Sequence, residues 1–246
     1  MNSLYIQGIH LDWNAVEHSS YLHGVPSLKG LCDLSFQRNI TFFAGENGTG
    51  KSTLLEAMAV AYGFNPEGGT LNYRFSTFED VSELHRALRI TKGFRRPAFG
   101  YFFRAESFFT VASKTEEYRD STPKEIYYAR YGGKSFHEQS HGESFLSAFL
   151  SFNQKGLYFM DEPEAALSPQ KQLTLFIHIT RMAREGSQFF IATHSPILLG
   201  IPESEILSFD GGIIKPCPYE ETESFQITEM FINCRETLVK RLLEED

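Results

Sequence analysis

One glycine-rich stretch of eight residues constrains this chain more than any other feature of its sequence. The stretch reads Gly45-Glu46-Asn47-Gly48-Thr49-Gly50-Lys51-Ser52. It matches G-x-x-x-x-G-K-[ST] at every fixed position, with an apolar run before it and helix-forming residues after it. Glycines let successive backbone N–H groups face one anion, and a helix start adds its positive dipole end. The stretch is therefore predicted to bind phosphates, with Lys51 on the β- and γ-phosphates and Ser52 on Mg²⁺.

Two adjacent acids end a second apolar run. Residues 157–160 are apolar, and Asp161 and Glu162 follow them directly. Ligands bind beyond the carboxyl ends of parallel strands, so both carboxylates are expected to face the phosphate loop. Asp161 would then hold Mg²⁺, directly or through water, and Glu162 would polarise an attacking water. Without the phosphate loop, the same two acids would equally suit a strand that ends in a solvated turn.

A third apolar run ends at His194. An imidazole at this position could contact a γ-phosphate or orient the attacking water. An isolated histidine more often forms a hydrogen bond within its loop, which is the simpler interpretation. Here, however, the run comes after the helix that follows Asp161 and Glu162, so the same edge of the sheet receives a third polar group.

The composition excludes several classes of protein. The chain has 246 residues, of which 41% are hydrophobic, so it can bury a substantial core. Its 31 acidic and 23 basic residues give a net charge of −8, which argues against a globally basic nucleic-acid binder. A solvated loop explains a small basic cluster more simply than a DNA-binding patch does; the cluster comprises Lys92, Arg95, Arg96 and Arg104.

The sequence also predicts where the protein resides. The longest stretch without acidic or basic residues, 186–202, is shorter than the roughly 20 apolar residues that a bilayer requires. The first 18 residues lack the basic and apolar regions of a secretory signal. Cys32, Cys217 and Cys234 are widely spaced and are expected to be free thiols. Together these features predict a cytoplasmic protein without a membrane span.

Predicted strands and helices alternate along the chain. Helices are expected at 51–62, 78–90, 143–152 and 169–185, with two short ones within 221–246, and strands at 40–44, 99–103, 157–160, 188–193, 206–209 and 212–215. A charged segment at 114–134 shows no clear periodicity. The alternation predicts an α/β fold with a mainly parallel sheet flanked by helices.

The order of these motifs resembles the ATP-binding-cassette (ABC) class of ATPases over nearly the whole chain. The closest fit is the soluble branch of chromosome-maintenance and double-strand-break-repair ATPases and small stand-alone bacterial ATPases. The resemblance extends the phosphate loop to Thr53 and implies ATP and Mg²⁺ as cofactors. It implies a P-loop NTPase fold with a small helical or irregular subdomain in a single domain, 1–246. The core lobe would cover about 1–75 and 153–246, and the signature-bearing subdomain about 76–152.

In that class a signature segment contacts the γ-phosphate held by a second subunit. In this chain the segment that resembles the signature is Ser140-His141-Gly142-Glu143, which Gln139 precedes and in which His141 replaces the first glycine. Ser140 and Gly142 would supply a hydroxyl and a closely approaching N–H where Glu143 begins a helix. The resemblance thus implies an ATP-dependent homodimer that sandwiches two ATP molecules. A serine N-cap with Glu143 in the first helical turn is the simpler interpretation of the same residues.

Other segments depart from the pattern of the class. The aromatic strand lacks the usual glutamine, and Arg104 or Glu106 could replace its contact to the γ-phosphate or to metal-bound water. The turn at 164–168 ends in Ser168, where Asp is common, and its Asp-Glu-Pro-Glu start is similar to defence-associated ATPases and overcoming-lysogenisation-type nucleases. Three aromatic residues could stack on adenine, although each also suits a core position: Tyr5, Trp13 and Tyr21.

Three functions remain open at this point. The favoured one is a soluble ABC-class ATPase, a nucleotide-gated dimer that switches an effector protein or a DNA-related process. The second is the nucleotide-binding subunit of a membrane transporter, and the third is a P-loop phosphotransferase. The short stretch between the aromatic strand and Ser140 disfavours a transporter, and a phosphotransferase would have no use for Ser140 or His194.

Overall fold

A computed structural model describes residues 4–71, 82–117 and 140–244 of the chain. Its strands are β1 (Ile6–Leu11), β2 (Asp33–Ser35), β3 (Ile40–Ala44), β4 (Gly69–Thr70), β5 (Leu88–Lys92), β6 (Phe99–Arg104), β7 (Gly156–Asp161), β8 (Gln188–Ala192), β9 (Glu205–Ser208) and β10 (Lys215–Pro216). Its helices are α1 (Lys51–Tyr62), α2 (Leu84–Ala87), α3 (Phe108–Glu117), α4 (His141–Ser151), α5 (Pro169–Arg184), α6 (Pro196–Leu199) and α7 (Glu223–Glu244).

The central sheet has the strand order β10-β9-β3-β8-β7-β6-β4. The five inner strands, from β9 to β6, run parallel to one another. Strands β3, β7 and β8 are buried along their whole length, as expected for parallel strands with both faces covered. The register pairs Ala192 with both Phe43 and Asp161, so three carboxyl ends meet at one edge of the sheet.

Aromatic side chains pack both faces of this sheet. Successive residues of a strand point to opposite faces, so Tyr158 and Phe159 belong to two different hydrophobic clusters. Tyr158 stacks on Phe189 with ring centroids 4.9 Å apart, and Phe159 stacks on Phe190 at 5.3 Å. One cluster packs α1 and β1 against the sheet, and the other packs α4 and α5. The central sheet is thereby covered on both faces.

A second, three-stranded antiparallel sheet has the order β2-β1-β5. The prediction of a helix at 78–90 is wrong for its last three residues, because α2 ends at Ala87 and β5 begins at Leu88. Leu88 and Ile90 pair with Leu11 and Ile9 of β1, so pairing between strands overrides helical propensity there. Residues 78–81 lie outside the described residues.

The end of the chain also differs from the prediction. The strand expected at 212–215 is wrong, because residues Asp210–Gly212 form a 3-10 turn and β10 covers only Lys215–Pro216. Gly211 and Gly212 adopt positive φ values of 73° and 80°, which interrupt an extended strand. Helix α7 departs from helical geometry at Cys234, near its middle, where two short helices were expected.

Two strands of the described structure, β5 and β6, fall within the segment predicted to carry the signature. Strand β5 belongs to the three-stranded sheet and β6 to the central sheet, although both lie within residues 76–152, which were assigned to the signature-bearing subdomain.

Helix α3 accounts for the start of the charged segment at 114–134, and residues 118–134 lie outside the described part. None of the described helices combines the length and apolar character that crossing a bilayer requires.

Candidate functional site

The glycine-rich loop connects β3 to α1, as the sequence predicts. Gly50 caps α1 in the left-handed region at φ 97°, and a Cβ there would lie 2.8 Å from Val25 Cγ1. Gly45 is also at positive φ, and its Cβ would lie 2.8 Å from Asp210 Oδ1. Both positions therefore require glycine, for conformation and for space. The Ser27 hydroxyl supports the loop by donating a hydrogen bond to the Thr49 carbonyl.

Lys51 lies inside this loop. Its side chain is buried, and Nζ donates hydrogen bonds of 2.7 Å to the carbonyl oxygens of both Gly45 and Glu46. Burial lowers the pKa of Lys51, while the nearby carboxylates of Asp210 and Glu162 act in the opposite direction. The ammonium is thus held at the centre of the loop, where a bound phosphate would meet it.

Ser52 and Asp161 are brought together at the start of α1 and the end of β7. The Ser52 hydroxyl donates a 2.7 Å hydrogen bond to Asp161 Oδ1. Burial raises the pKa of Asp161 to about 6, although the bond from Ser52 and the charge of Arg104 act against this shift. A hydroxyl and a carboxylate beside a phosphate loop are the oxygen ligands that Mg²⁺ prefers. The two side chains therefore fit the magnesium site that the sequence predicts.

Glu162 follows directly and adopts an unusual backbone conformation. Its φ of 49° lies in the left-handed region, which is uncommon for a residue other than glycine. The Glu162 N–H donates a 3.0 Å hydrogen bond to the Ala192 carbonyl at the end of β8, and Pro163 comes next. The turn leaves the Glu162 side chain half-buried beside Asp161, and strained backbone of this kind is common at functional sites.

His194 follows β8 at the same edge of the sheet. Among the described residues, its buried Nε2 has no hydrogen-bond partner. Burial, and next the charge of Lys51, lower the pKa of His194, which favours the neutral imidazole. A cavity of about 260 Å³ lies beside it, bordered by Gly45, Glu46, Asp210 and the first turns of α7.

The signature-like segment forms a helix N-terminus in the single chain. The Ser140 backbone N–H and hydroxyl both donate to Glu143 Oε2, at 2.9 and 2.6 Å, at the start of α4. Ser140, His141 and Glu143 are exposed. Gly142 is buried, and a Cβ there would lie 2.4 Å from the Ala166 carbonyl oxygen. The capping interpretation thus holds within one chain, a contact to a second chain stays a prediction, and Gln139 lies outside the described residues.

The proposed substitutes for the missing glutamine lie close to α1. Arg104 donates a 2.6 Å hydrogen bond to Glu56 Oε2 of that helix and a 3.0 Å bond to the Pro66 carbonyl, and it also pairs with Glu106. Glu106 remains largely exposed. Arg104 is therefore engaged by partners within its own chain, and a phosphate contact for it stays a prediction.

The three aromatic candidates for adenine differ in accessibility. Tyr5 is buried, and the Trp13 indole donates a 2.9 Å hydrogen bond to the Leu31 carbonyl. Tyr21 is 64% exposed. It belongs to the 3-10 turn Tyr21–Gly24, directly before residues 25–28, which contact the phosphate loop, and it is the most exposed of the three.

Two further residues contact the candidate site, and the sequence analysis assigned neither of them a role there. Asp210, just after β9, accepts a 2.9 Å hydrogen bond from the Glu46 N–H of the phosphate loop. A polar residue directly after an apolar run singled out Asp161 and His194, and the same signal could have found Asp210. Glu164 was noted only for its resemblance to other families, but it accepts hydrogen bonds from Thr193 and from the His194 backbone.

The chain is similar to known proteins in part of its sequence and in its fold. Residues 144–200 match the model of a family described as "AAA domain, putative AbiEii toxin, Type IV TA system". The structure of cbiO1 from Clostridium perfringens, part of the ABC transporter complex cbiONQ, is 18% identical with a TM-score of 0.51, and the match covers 98% of this chain and 99% of that one. MJ1267, an ATP-binding cassette of an ABC transporter, is 18% identical with a TM-score of 0.48, over 89% of this chain and 93% of that one.

The family match and the shared architecture confirm the predicted resemblance to the ABC class of ATPases. The chain has the α/β fold of ABC-type ATP-binding cassettes, with a mostly parallel sheet between helices. The matched segment contains Asp161, Glu162 and His194.

Proposed function

We propose that this chain, which has the fold of ABC-type ATPases, binds Mg-ATP and hydrolyses it to ADP and phosphate. The observation that carries the proposal is the 2.7 Å hydrogen bond from Ser52 to Asp161, which joins the phosphate loop to the end of β7. Structural packing alone does not require two polar side chains to meet beside a buried lysine at this edge. A magnesium nucleotide site requires that arrangement.

The chain's own residues divide the work of hydrolysis between them. Lys51 and the backbone N–H groups of the loop hold the β- and γ-phosphates. Ser52 and Asp161 would hold Mg²⁺, which when bound neutralises charge on the phosphate oxygens. Glu162 accepts a proton from the attacking water, and the neutral His194 orients that water or contacts the γ-phosphate.

A second chain completes the site in this proposal. Ser140 and Glu143 are exposed at the start of α4, so a partner copy could bring them to the ATP held by the first chain. ATP would then lie within the dimer interface and shift the monomer–dimer equilibrium. The dimer would switch an effector protein or a DNA-related process in the cytoplasm. The division into a core lobe, about 1–75 and 153–246, and a signature-bearing subdomain, about 76–152, belongs to the same proposal.

The direct test is phosphate release from Mg-ATP without any added acceptor. The wild-type protein is expected to release phosphate, and Glu162→Gln to do so more slowly by a factor on the order of 10²–10⁴ while still binding ATP. Glu185→Gln, an exposed change at the end of α5, is the matched control and is expected to match the wild type. Wild-type turnover in Glu162→Gln would refute the base assignment, and release only with an acceptor would favour a phosphotransferase.

The fold shared with cbiO1 favours one further candidate, a nucleotide-binding subunit of a transporter. In that case the chain would bind membrane-spanning subunits rather than an effector or DNA. Co-purification from detergent-solubilised membranes distinguishes the two candidates. Co-purification of a membrane-spanning subunit in stoichiometric amount would support the transporter. Co-purification of a cytoplasmic partner without any membrane-spanning subunit would support the soluble switch.

A further inference from the structure

Glu164 lies between the turn after β7 and the loop that carries His194. Its Oε1 accepts a 2.6 Å hydrogen bond from the Thr193 hydroxyl and a 2.8 Å bond from the His194 backbone N–H. These residues are about 30 positions apart in sequence, so the bonds fix one loop against another. Oε1 accepts both of these bonds, whereas the buried Oε2 has no hydrogen-bond partner among the described residues.

A second side chain fixes the other end of the His194 loop. Gln172 of α5 accepts a 2.6 Å hydrogen bond from the Ser195 hydroxyl and donates a 3.0 Å bond to the Leu167 carbonyl. The Ser195 N–H in turn donates to Thr193 Oγ1 at 3.0 Å. Residues 193–195 are thus held from both sides by the turn 164–167 and the start of α5.

His194 needs such support because its ring is not held by a bond at Nε2. That atom is buried and has no partner among the described residues, so the backbone and the surrounding packing set the ring's direction. The backbone N–H of His194 is fixed by Glu164. A shift of this N–H would move the imidazole relative to Lys51 and the phosphate loop.

We propose that Glu164 is the positioning residue for His194 in ATP hydrolysis. It acts through the His194 backbone and the Thr193 hydroxyl, and it does not itself touch the nucleotide. The inference rests on the proposed ATPase function and goes beyond it, since it assigns the second Glu of Asp-Glu-Pro-Glu a role distinct from that of the water-activating Glu162. Small misplacements of a catalytic group lower turnover strongly, so the positioning matters for rate.

Two substitutions separate positioning from charge. Glu164→Ala leaves the Thr193 hydroxyl and the His194 N–H without their acceptor, which is costly for buried donors. Glu164→Gln keeps a carbonyl oxygen that can accept both bonds, but it removes the negative charge. Glu185→Ala is the control, because Glu185 is exposed and lies at the far end of α5.

The decisive experiment is a double-mutant cycle with His194→Ala. Glu164→Ala is expected to lower kcat about 10- to 100-fold with ATP affinity within about twofold of wild type, and Glu164→Gln to retain most of the activity. In the His194→Ala background, Glu164→Ala should cause no further loss. The proposal would be overturned if Glu164→Ala lowered kcat by the same factor in the His194→Ala background as in the wild type. It would also be overturned if a folded Glu164→Gln protein were as inactive as Glu164→Ala.

A readout without ATP keeps this test separate from the proposed function. The imidazole ¹⁵N signals of His194, assigned from the spectrum of His194→Ala, are expected to shift in nucleotide-free Glu164→Ala and to stay in place in Glu185→Ala. Unchanged His194 signals in a folded Glu164→Ala protein would contradict the positioning role. If the wild type released no phosphate while these signals shifted as expected, the ATPase function would fail but the contact would stand.

Discussion

The Glu46 backbone N–H donates a 2.9 Å hydrogen bond to Asp210 Oδ1, although the two residues are 164 positions apart. The contact ties the start of the phosphate loop to the turn after β9, the strand that pairs with β3 on the side opposite β8. It also places a carboxylate near the ammonium of Lys51. Asp210 would therefore have two opposing effects on a phosphate in this loop: its hydrogen bond would order the loop, and its charge would repel the ligand.

Substitutions of Asp210 can separate these effects. Asp210→Asn keeps an oxygen for the Glu46 N–H and removes the charge, so it should bind ATP at least as tightly as the wild type. Asp210→Ala also loses the hydrogen bond and should bind ATP about two- to tenfold more weakly than Asp210→Asn. Equilibrium titration with a fluorescent ATP analogue measures both, with Asp33→Ala on the edge strand β2 as control. Equal affinities for the Asn and Ala variants would show that the bond does not order the loop.

Lys51→Ala should weaken nucleotide binding and abolish turnover. The substitution removes the buried ammonium and its two 2.7 Å bonds to the Gly45 and Glu46 carbonyls. Charge on the phosphates would then lose its nearest compensating group. Titration and phosphate release are compared with Lys29→Ala, an exposed lysine outside the loop. Retained turnover in Lys51→Ala would place the nucleotide elsewhere.

His194→Ala should lower turnover while leaving ATP affinity nearly intact. The contact of the imidazole is expected mainly in the transition state, so its loss affects kcat more than ground-state binding. His18→Ala, an exposed histidine, is the control. A large loss of affinity, with unchanged turnover for each bound ATP, would contradict this role.

Asp161→Asn should stabilise the nucleotide-free protein at neutral pH and abolish its magnesium-dependent activity. Burial raises the Asp161 pKa from 3.8 to about 6, so folding disfavours its ionised form. The penalty is absent well below pH 4, where both states are protonated, grows between about pH 4 and 6, and stays constant above pH 6. The variant should gain on the order of 1–3 kcal/mol in unfolding free energy at pH 7.5 in EDTA. Urea unfolding of both proteins at pH 4 and 7.5 measures the gain. Equal unfolding free energies of the variant and the wild type at pH 7.5 would show that burial of the ionised Asp161 does not destabilise the protein.

Much of the central sheet could be predicted from uninterrupted apolar runs. Strands β3, β7 and β8 are buried on both faces, so nearly every residue in them is apolar and the pattern is unambiguous. A polar residue after the second and third runs singled out Asp161 and His194, whereas the glycine-rich motif singled out Lys51. Strand β5 was predicted as helix because its identity depends on pairing with β1, a contact distant in sequence.

Contacts between loops could not be read from the sequence. The bonds of Glu164 to His194 and of Asp210 to Glu46 join residues whose approach depends on the completed sheet. Local propensity gives no sign of either pair. Ser140 shows a related limit, because the motif that caps a helix within the chain is the same motif that we propose contacts a second chain.

Sedimentation of Glu162→Gln with and without Mg-ATP tests the central claim most directly. The account predicts a monomer or weak association without nucleotide and a dimer with Mg-ATP, because ATP bound across two chains shifts that equilibrium. Adding Ser140→Arg, which places a bulky cation at the exposed start of α4, should abolish dimerisation while ATP still binds the single chain. A Glu162→Gln protein that stays monomeric in Mg-ATP, or a double variant that still dimerises, would contradict the account.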